Sequence, residues 1–122
     1  MKIQESAENY LEAILTLNKK RPDVHAIDIA AYLEFSKPSV SIAMKKLRES
    51  GYILVDENGH ISLTDSGREI AERVYERHTV LSGWLVSIGV PADIAADDAC
   101  RMEHILSNES FDAIRRLAEK NK

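Results

Sequence analysis

Apolar positions recur along most of the chain with a period of three to four residues. Tyr10, Leu11, Ile14, Leu15 and Leu17 form one such stripe, which predicts a first helix over about residues 6–18, with Ser6 as N-cap and Asn18 at its end. The basic loop Lys19-Lys20-Arg21 follows and is closed by Pro22. Ile27, Ile29, Ala30 and Leu33 predict a short second helix from Ala26 to Leu33. After Glu34-Phe35, Ser36 can cap a third helix with Pro38 in its first turn, where a missing N–H costs little. That helix should end at Glu49 or Ser50, before Gly51.

The period then changes. Tyr52-Ile53-Leu54-Val55 and His60-Ile61-Ser62-Leu63 are β-prone runs around Asp56-Glu57-Asn58-Gly59, the pattern of a β-hairpin. Helical spacing returns through Ile70, Ala71, Val74, Val80, Leu81 and Leu85. This is a long fourth helix capped by Thr64 or Ser66 and ending near Gly89. Pro91 opens a fifth helix expected to reach about Leu106. Ser107-Asn108-Glu109-Ser110 is a turn, and Phe111 to about Lys120 is the last helix. The fold class is therefore mainly α. The order helix, helix, turn, helix, hairpin is that of a winged helix-turn-helix, placed in residues 1–63, with a helical domain in residues 64–122.

Composition adds limits. The 122 residues are 44% hydrophobic and 30% charged, as in ordinary globular proteins. No apolar run approaches the ~18 residues of a membrane span, and Met1-Lys2-Ile3-Gln4-Glu5 opens no signal-peptide core, so no membrane partner is expected. A single cysteine suits the reducing cytoplasm. The net charge of −4 argues against polyanion binding by the whole surface. Locally the picture differs, because Lys37, Lys45, Lys46 and Arg48 fall in a stretch without acids. Between Asp93 and Glu103 the acids Asp93, Asp97, Asp98 and Glu103 are answered only by Arg101.

The basic island lies on the third helix. Val40, Met44 and Leu47 define its inward stripe, leaving Ser39, Ile42, Lys45 and Lys46 on the other side and Ser36, Lys37 and Pro38 at its N-terminal end. Hydroxyls and an exposed aliphatic near the N-terminus, with lysines further along, suit base-edge and phosphate contacts in a major groove. The expected DNA-binding set is Ser36, Lys37, Pro38, Ser39, Ser41, Ile42, Lys45 and Lys46, with Asn58 and His60 on the wing. A solvated lysine face is the plain alternative, but it leaves the hairpin without a purpose.

The second chemical signal is Cys100-Arg101-Met102-Glu103-His104. On a helix, positions i, i+3 and i+4 share a face, so a thiol, a carboxylate and an imidazole converge there. That donor mix suits a transition metal; the plain reading is a solvated helix face with one buried thiol. There is no HExxH, nucleophile elbow or Gly-rich phosphate loop, so no enzyme is expected.

Three stretches, Glu8-Asn9-Tyr10-Leu11-Glu12-Ala13-Ile14, Ser36-Lys37-Pro38-Ser39-Val40-Ser41 and Asp98-Ala99-Cys100-Arg101-Met102-Glu103-His104, resemble the DtxR/MntR family of metal-dependent transcriptional repressors. Leu63-Thr64-Asp65-Ser66-Gly67 is similar as well, and the likeness is to the short form without an SH3-like domain. The resemblance implies a metal site between the first, fourth and fifth helices. Its ligands would be Asn9, Glu12, His78, Cys100, Glu103 and His104. It also implies a homodimer formed through the helical domain, a double-stranded DNA operator, and control of metal-uptake genes. Asn9 departs from the Asp of manganese-type members and the Met of iron-type ones. Ser82 and Ala96 stand where the iron-type ancillary site has a glutamate and a histidine, and Ile42 replaces a polar base reader. Thiolate at Cys100 favours Fe(II), Co(II), Ni(II) or Zn(II) over Mn(II); iron-type members have cysteine at this position and manganese-type ones a carboxylate, so the resemblance implies Fe(II), with Mn(II) as the alternative. The competing reading is a metal-independent winged-helix regulator that answers to an organic ligand or to thiol oxidation.

Overall fold

The computed structural model describes residues 5–120; residues 1–4, which include most of the stretch lacking a signal core, lie outside them. The described residues form six helices and one two-stranded antiparallel sheet in the order α1 (Glu5–Lys20), α2 (Ala26–Leu33), α3 (Lys37–Glu49), β1 (Ile53–Val55), β2 (Ile61–Leu63), α4 (Asp65–Ser87), α5 (Ala92–Met102) and α6 (Asn108–Lys120). They divide into two compact units, one up to Glu72 and one from Arg73, with α4 contributing to both.

The first unit has an aliphatic core drawn from every element. Leu11, Ile14 and Leu15 of α1 meet Ile29 of α2, Val40 and Leu47 of α3, and Ile53 and Ile61 of the hairpin. Helix α1 outlasts the sequence expectation by two residues, and it already includes Ser6, which is therefore not its N-cap. Asn18 does not stop it: its side-chain amide donates to Ile61 O at 3.3 Å, which ties the helix to the wing. Lys19 and Lys20 suit the negative pole of the helix, and Pro22 disfavours helical backbone in the residue before it.

Helix α2 begins at His25, whose N–H donates to the Asp28 carboxylate at 2.8 Å. Glu34 ends the helix in left-handed backbone, φ 60°, the one non-glycine among the described residues to do so. Ser36 caps α3 by accepting from the Ser39 N–H. The hairpin pairs Ile53 with Leu63 and Val55 with Ile61. Its tip is not a two-residue turn at Asn-Gly. Gly59 N–H donates to Asp56 O, Asp56 N–H donates to His60 O, and Gly59 has φ +81°. That is a three-residue loop with a glycine bulge, and only the glycine takes positive φ. Thr64 then caps α4, accepting from Gly67 N–H and donating to Gly51 O.

In the second unit, Leu81, Ala99 and Phe111 form the buried centre, with Val80, Met102, Leu106 and Ile114 packed on it. The fifth helix is shorter than the expected run to Leu106: it stops at Met102. A buried guanidinium explains the early stop. Arg77 donates to Glu103 O at 3.1 Å, to Leu106 O at 2.8 Å and to the Asn108 side chain at 2.7 Å. Those carbonyls are thus satisfied by a charged donor rather than by further helical N–H groups.

Candidate metal centre and nucleic-acid interface

His78 on α4, Cys100 in the last turn of α5 and Glu103 just beyond it each direct a donor atom to one place. His78 Nδ1 lies 2.9 Å from Glu103 Oε2 and 3.7 Å from Cys100 Sγ, and the three donors fall within 4.8 Å of one another. The neighbouring Arg77 holds the backbone of the turn, so adjacent residues of α4 fix the carboxylate's main chain and meet its side chain. Its guanidinium also stacks over Phe111, 5.2 Å from the ring centroid. Sequence reasoning missed Arg77. Its signal was present, however: Val74, Arg77 and Leu81 are spaced three and four, which puts an arginine on the buried stripe.

The burial of Glu103 tests whether these residues suit a metal. The residue is 2% exposed, and its Oε1 accepts no hydrogen bond of ordinary geometry; His104 Nε2 lies 3.4 Å from it. A buried carboxylate is costly unless compensated by charge. Donors bound to one first-row ion at ~2.0–2.3 Å stand roughly 3–4.5 Å apart, so the observed spacing fits. Nitrogen, sulfur and oxygen together suit a borderline or soft divalent ion. Cys100 is exposed, not the buried thiol of the plain reading, and is therefore accessible.

The His104 side chain is buried and faces the other oxygen of Glu103. Asn9 and Glu12 are half-buried on α1, in the first unit. Ser82 and Ala96 are likewise half-buried.

On α3 the inward stripe is as expected: Val40, Met44 and Leu47 are buried, while Ser36, Lys37, Pro38, Ser39, Ser41, Ile42, Lys45 and Lys46 are exposed. Ile42 is 59% exposed, an unfavourable place for an aliphatic without a partner. Ser36 Oγ donates to Ser39 Oγ at 2.8 Å, so the two hydroxyls hold each other as well as the cap. On the wing, Asn58 is exposed and His60 half-buried, and both backbone N–H groups donate to Asp56. The His60 N–H foremost holds the Asp56 carboxyl below its usual range. Asp28 is held low in the same way by the His25 N–H, and further by Arg21. Between α3 and the wing lies a groove of about 490 Å³, lined in part by Ser41 and Lys45 and by two residues absent from the sequence-based set, His25 and Arg48. No described helix is long and apolar enough to cross a membrane.

A winged helix-turn-helix with a basic outer face, joined to a helical unit carrying a nitrogen–sulfur–oxygen donor cluster, defines a DNA-binding regulator with a metal-ligand set. Residues 2–61 match the N-terminal DNA binding domain of the iron dependent repressors, and residues 64–122 match their metal binding and dimerisation domain. The chain belongs to this family of metal-dependent transcriptional regulators, in agreement with its resemblance at the level of motifs. It is 33% identical to the transcriptional regulator MntR of Escherichia coli over 97% of this chain and 76% of that protein. It is 34% identical to the iron-dependent repressor IdeR of Mycobacterium leprae over 93% of this chain and 48% of that one. A solved manganese-dependent transcriptional repressor in complex with manganese superposes with a TM-score of 0.84 at 30% identity, over 93% of this chain and 52% of that one.

Proposed function

We propose that His78, Cys100 and Glu103 form the centre of the effector site of a repressor of metal-uptake genes, with Fe(II) as the physiological corepressor. The carrying observation is Glu103, a carboxylate buried beside an accessible thiol and lacking full compensation. His104, Asn9 and Glu12 are the further ligands that the family resemblance suggests. A divalent ion supplies the positive charge that lets carboxylate and thiolate share one site. The ligand residues, so held, set the helices that carry them, and a dimer of such chains presents two copies of α3 to the two halves of an operator. Residues 1–63 would carry the DNA reading and residues 64–122 the metal and the dimer contact. On α3, Lys37, Lys45 and Lys46 contact phosphates, Ser39, Ser41 and Ile42 face base edges, and Ser36 and Pro38 set the helix end; Asn58 and His60 serve the wing.

Mn(II) is the second reading, favoured by the similarity to proteins named for manganese. The thiol argues the other way, since Mn(II) prefers oxygen-rich shells. Operator binding titrated with Fe(II) and Mn(II) under anaerobic conditions, in wild type and Cys100→Glu, decides between them. A preference for Fe(II) that shifts toward Mn(II) in the variant supports the thiol's role; equal responses in both proteins remove it. Binding unaffected by a chelator at fixed salt would sink the effector site itself.

A further inference from the structure

His25 and His60 come from different elements, the start of α2 and the start of β2, and their rings meet edge to face with centroids 4.8 Å apart. His25 Nε2 lies 3.1 Å from Asn58 O at the wing tip. A carbonyl only accepts, so Nε2 carries a hydrogen, and in the neutral ring Nδ1 is left with a lone pair. That lone pair faces the Asp28 N–H in the α2 capping box and stands 3.8 Å from the Asp28 carboxylate, which protonation would turn into an attractive partner. His60 has its own carboxylate, Asp56, 3.3 Å from Nδ1.

The same His25 lines the groove between α3 and the wing, where Lys45 and Arg48 of α3 also lie. Their charges oppose a proton on His25, as does a charged His60. Asp28 and Asp56 favour the proton, but Asp28 is already engaged by its ion pair with Arg21 and by the His25 N–H, and Asp56 by the Asn58 and His60 N–H groups. The free groove therefore holds opposing influences on one imidazole, and an anion entering it would tip them toward the charged form. The lining has no acidic side chain: Lys45 and Arg48 suit phosphates, and the largely apolar remainder, with Ile27, Met44, Val55 and Ile61, suits the sugars of one strand.

We infer that this groove seats one sugar–phosphate strand of the bound duplex and that His25 takes up a proton as the strand enters, so that DNA binding is linked to pH. The inference rests on the DNA-binding reading of α3 and the wing. His25 is a phosphate contact and also positions the wing through Asn58.

By linkage, uptake of one proton on binding makes affinity fall as pH rises. The test uses the full chain saturated with Mn(II), and a duplex recovered by that protein from a random-sequence pool. Affinity at constant ionic strength is measured from pH 6 to 8, and proton uptake by calorimetry in two buffers of different ionisation enthalpy. Wild type should lose on the order of tenfold in affinity across this range. His25→Gln, whose amide can still donate to Asn58 O, should bind with the wild type's high-pH affinity throughout. His25→Lys should bind tightly and without pH dependence. The metal-site histidines are common to all three proteins, so the differences isolate residue 25. Equal proton uptake by wild type and both variants, with their melting temperatures shown to be close, overturns the inference while leaving DNA binding in place. Failure of the pool to yield any enriched duplex overturns the DNA-binding reading as well.

Discussion

Glu103 and Asp28 are both acidic residues with cationic or N–H partners, yet burial gives them opposite expected effects when neutralised. Glu103 is enclosed, with His78 on one oxygen and His104 near the other. Glu103→Gln removes a buried charge at constant shape. The metal-free protein should therefore be as stable as wild type or more so, while the stabilisation by added Mn(II) or Co(II) should vanish. Thermal melts with and without metal check both halves. Asp28 is part-exposed and serves as acceptor for the His25 N–H and partner of Arg21. Its carboxyl lies below its ordinary 3.8 in the folded chain, so its contribution is complete well above that value and fades as pH falls through the depressed one. Asp28→Asn should cost about 1 kcal/mol at pH 7, with the gap closing toward pH 3, as read from urea midpoints across that range.

At the scale of elements, two contacts fix how helices begin and end. Gly67, in the first turn of α4, is buried, and a Cβ there would collide with the backbone carbonyl of Tyr52. Backbone cannot yield as a side-chain tip can. Gly67→Ala should cost about 2–3 kcal/mol, whereas Gly83→Ala, with open space around its Cβ, should be neutral or stabilising. Denaturant unfolding of the pair checks the contrast. Arg77 plays the matching role at the end of α5. Arg77→Lys keeps the charge but not the planar fork that reaches Glu103 O, Leu106 O and Asn108. It should cost about 2–3 kcal/mol and weaken metal binding, because the turn carrying Glu103 loses its anchor; melts and metal titration read the two effects.

For the whole molecule, metal and stability are linked. A divalent ion at one hundred times its dissociation constant should stabilise the chain by about 2.7 kcal/mol, an effect reversed by chelation and reduced in Cys100→Ala. Calorimetry in the presence and absence of chelator measures it.

How much of this was legible in the chain depended on distance along it. The six helices, the hairpin, the Ser36 and Thr64 caps and the inward stripe of α3 follow from local periodicity and turn chemistry, and the structure has them. Cys100 and Glu103 were legible as neighbours in sequence. The meeting of His78 with them was drawn from family resemblance, since nothing in periodicity alone joins residues twenty-odd positions apart. Three features were not read at all. The early end of α5 depends on Arg77, the groove depends on His25 at the start of α2 meeting Arg48 of α3 and the wing, and the hairpin loop depends on Asp56 accepting from Asn58 and His60. The sequence by itself determined the elements, the basic face and the donor types, because these arise from side chains a few residues apart. Only the tertiary structure decided that Glu103 is enclosed, that Cys100 is accessible and that His25 meets His60, because burial and long-range pairing are set by which surfaces pack together.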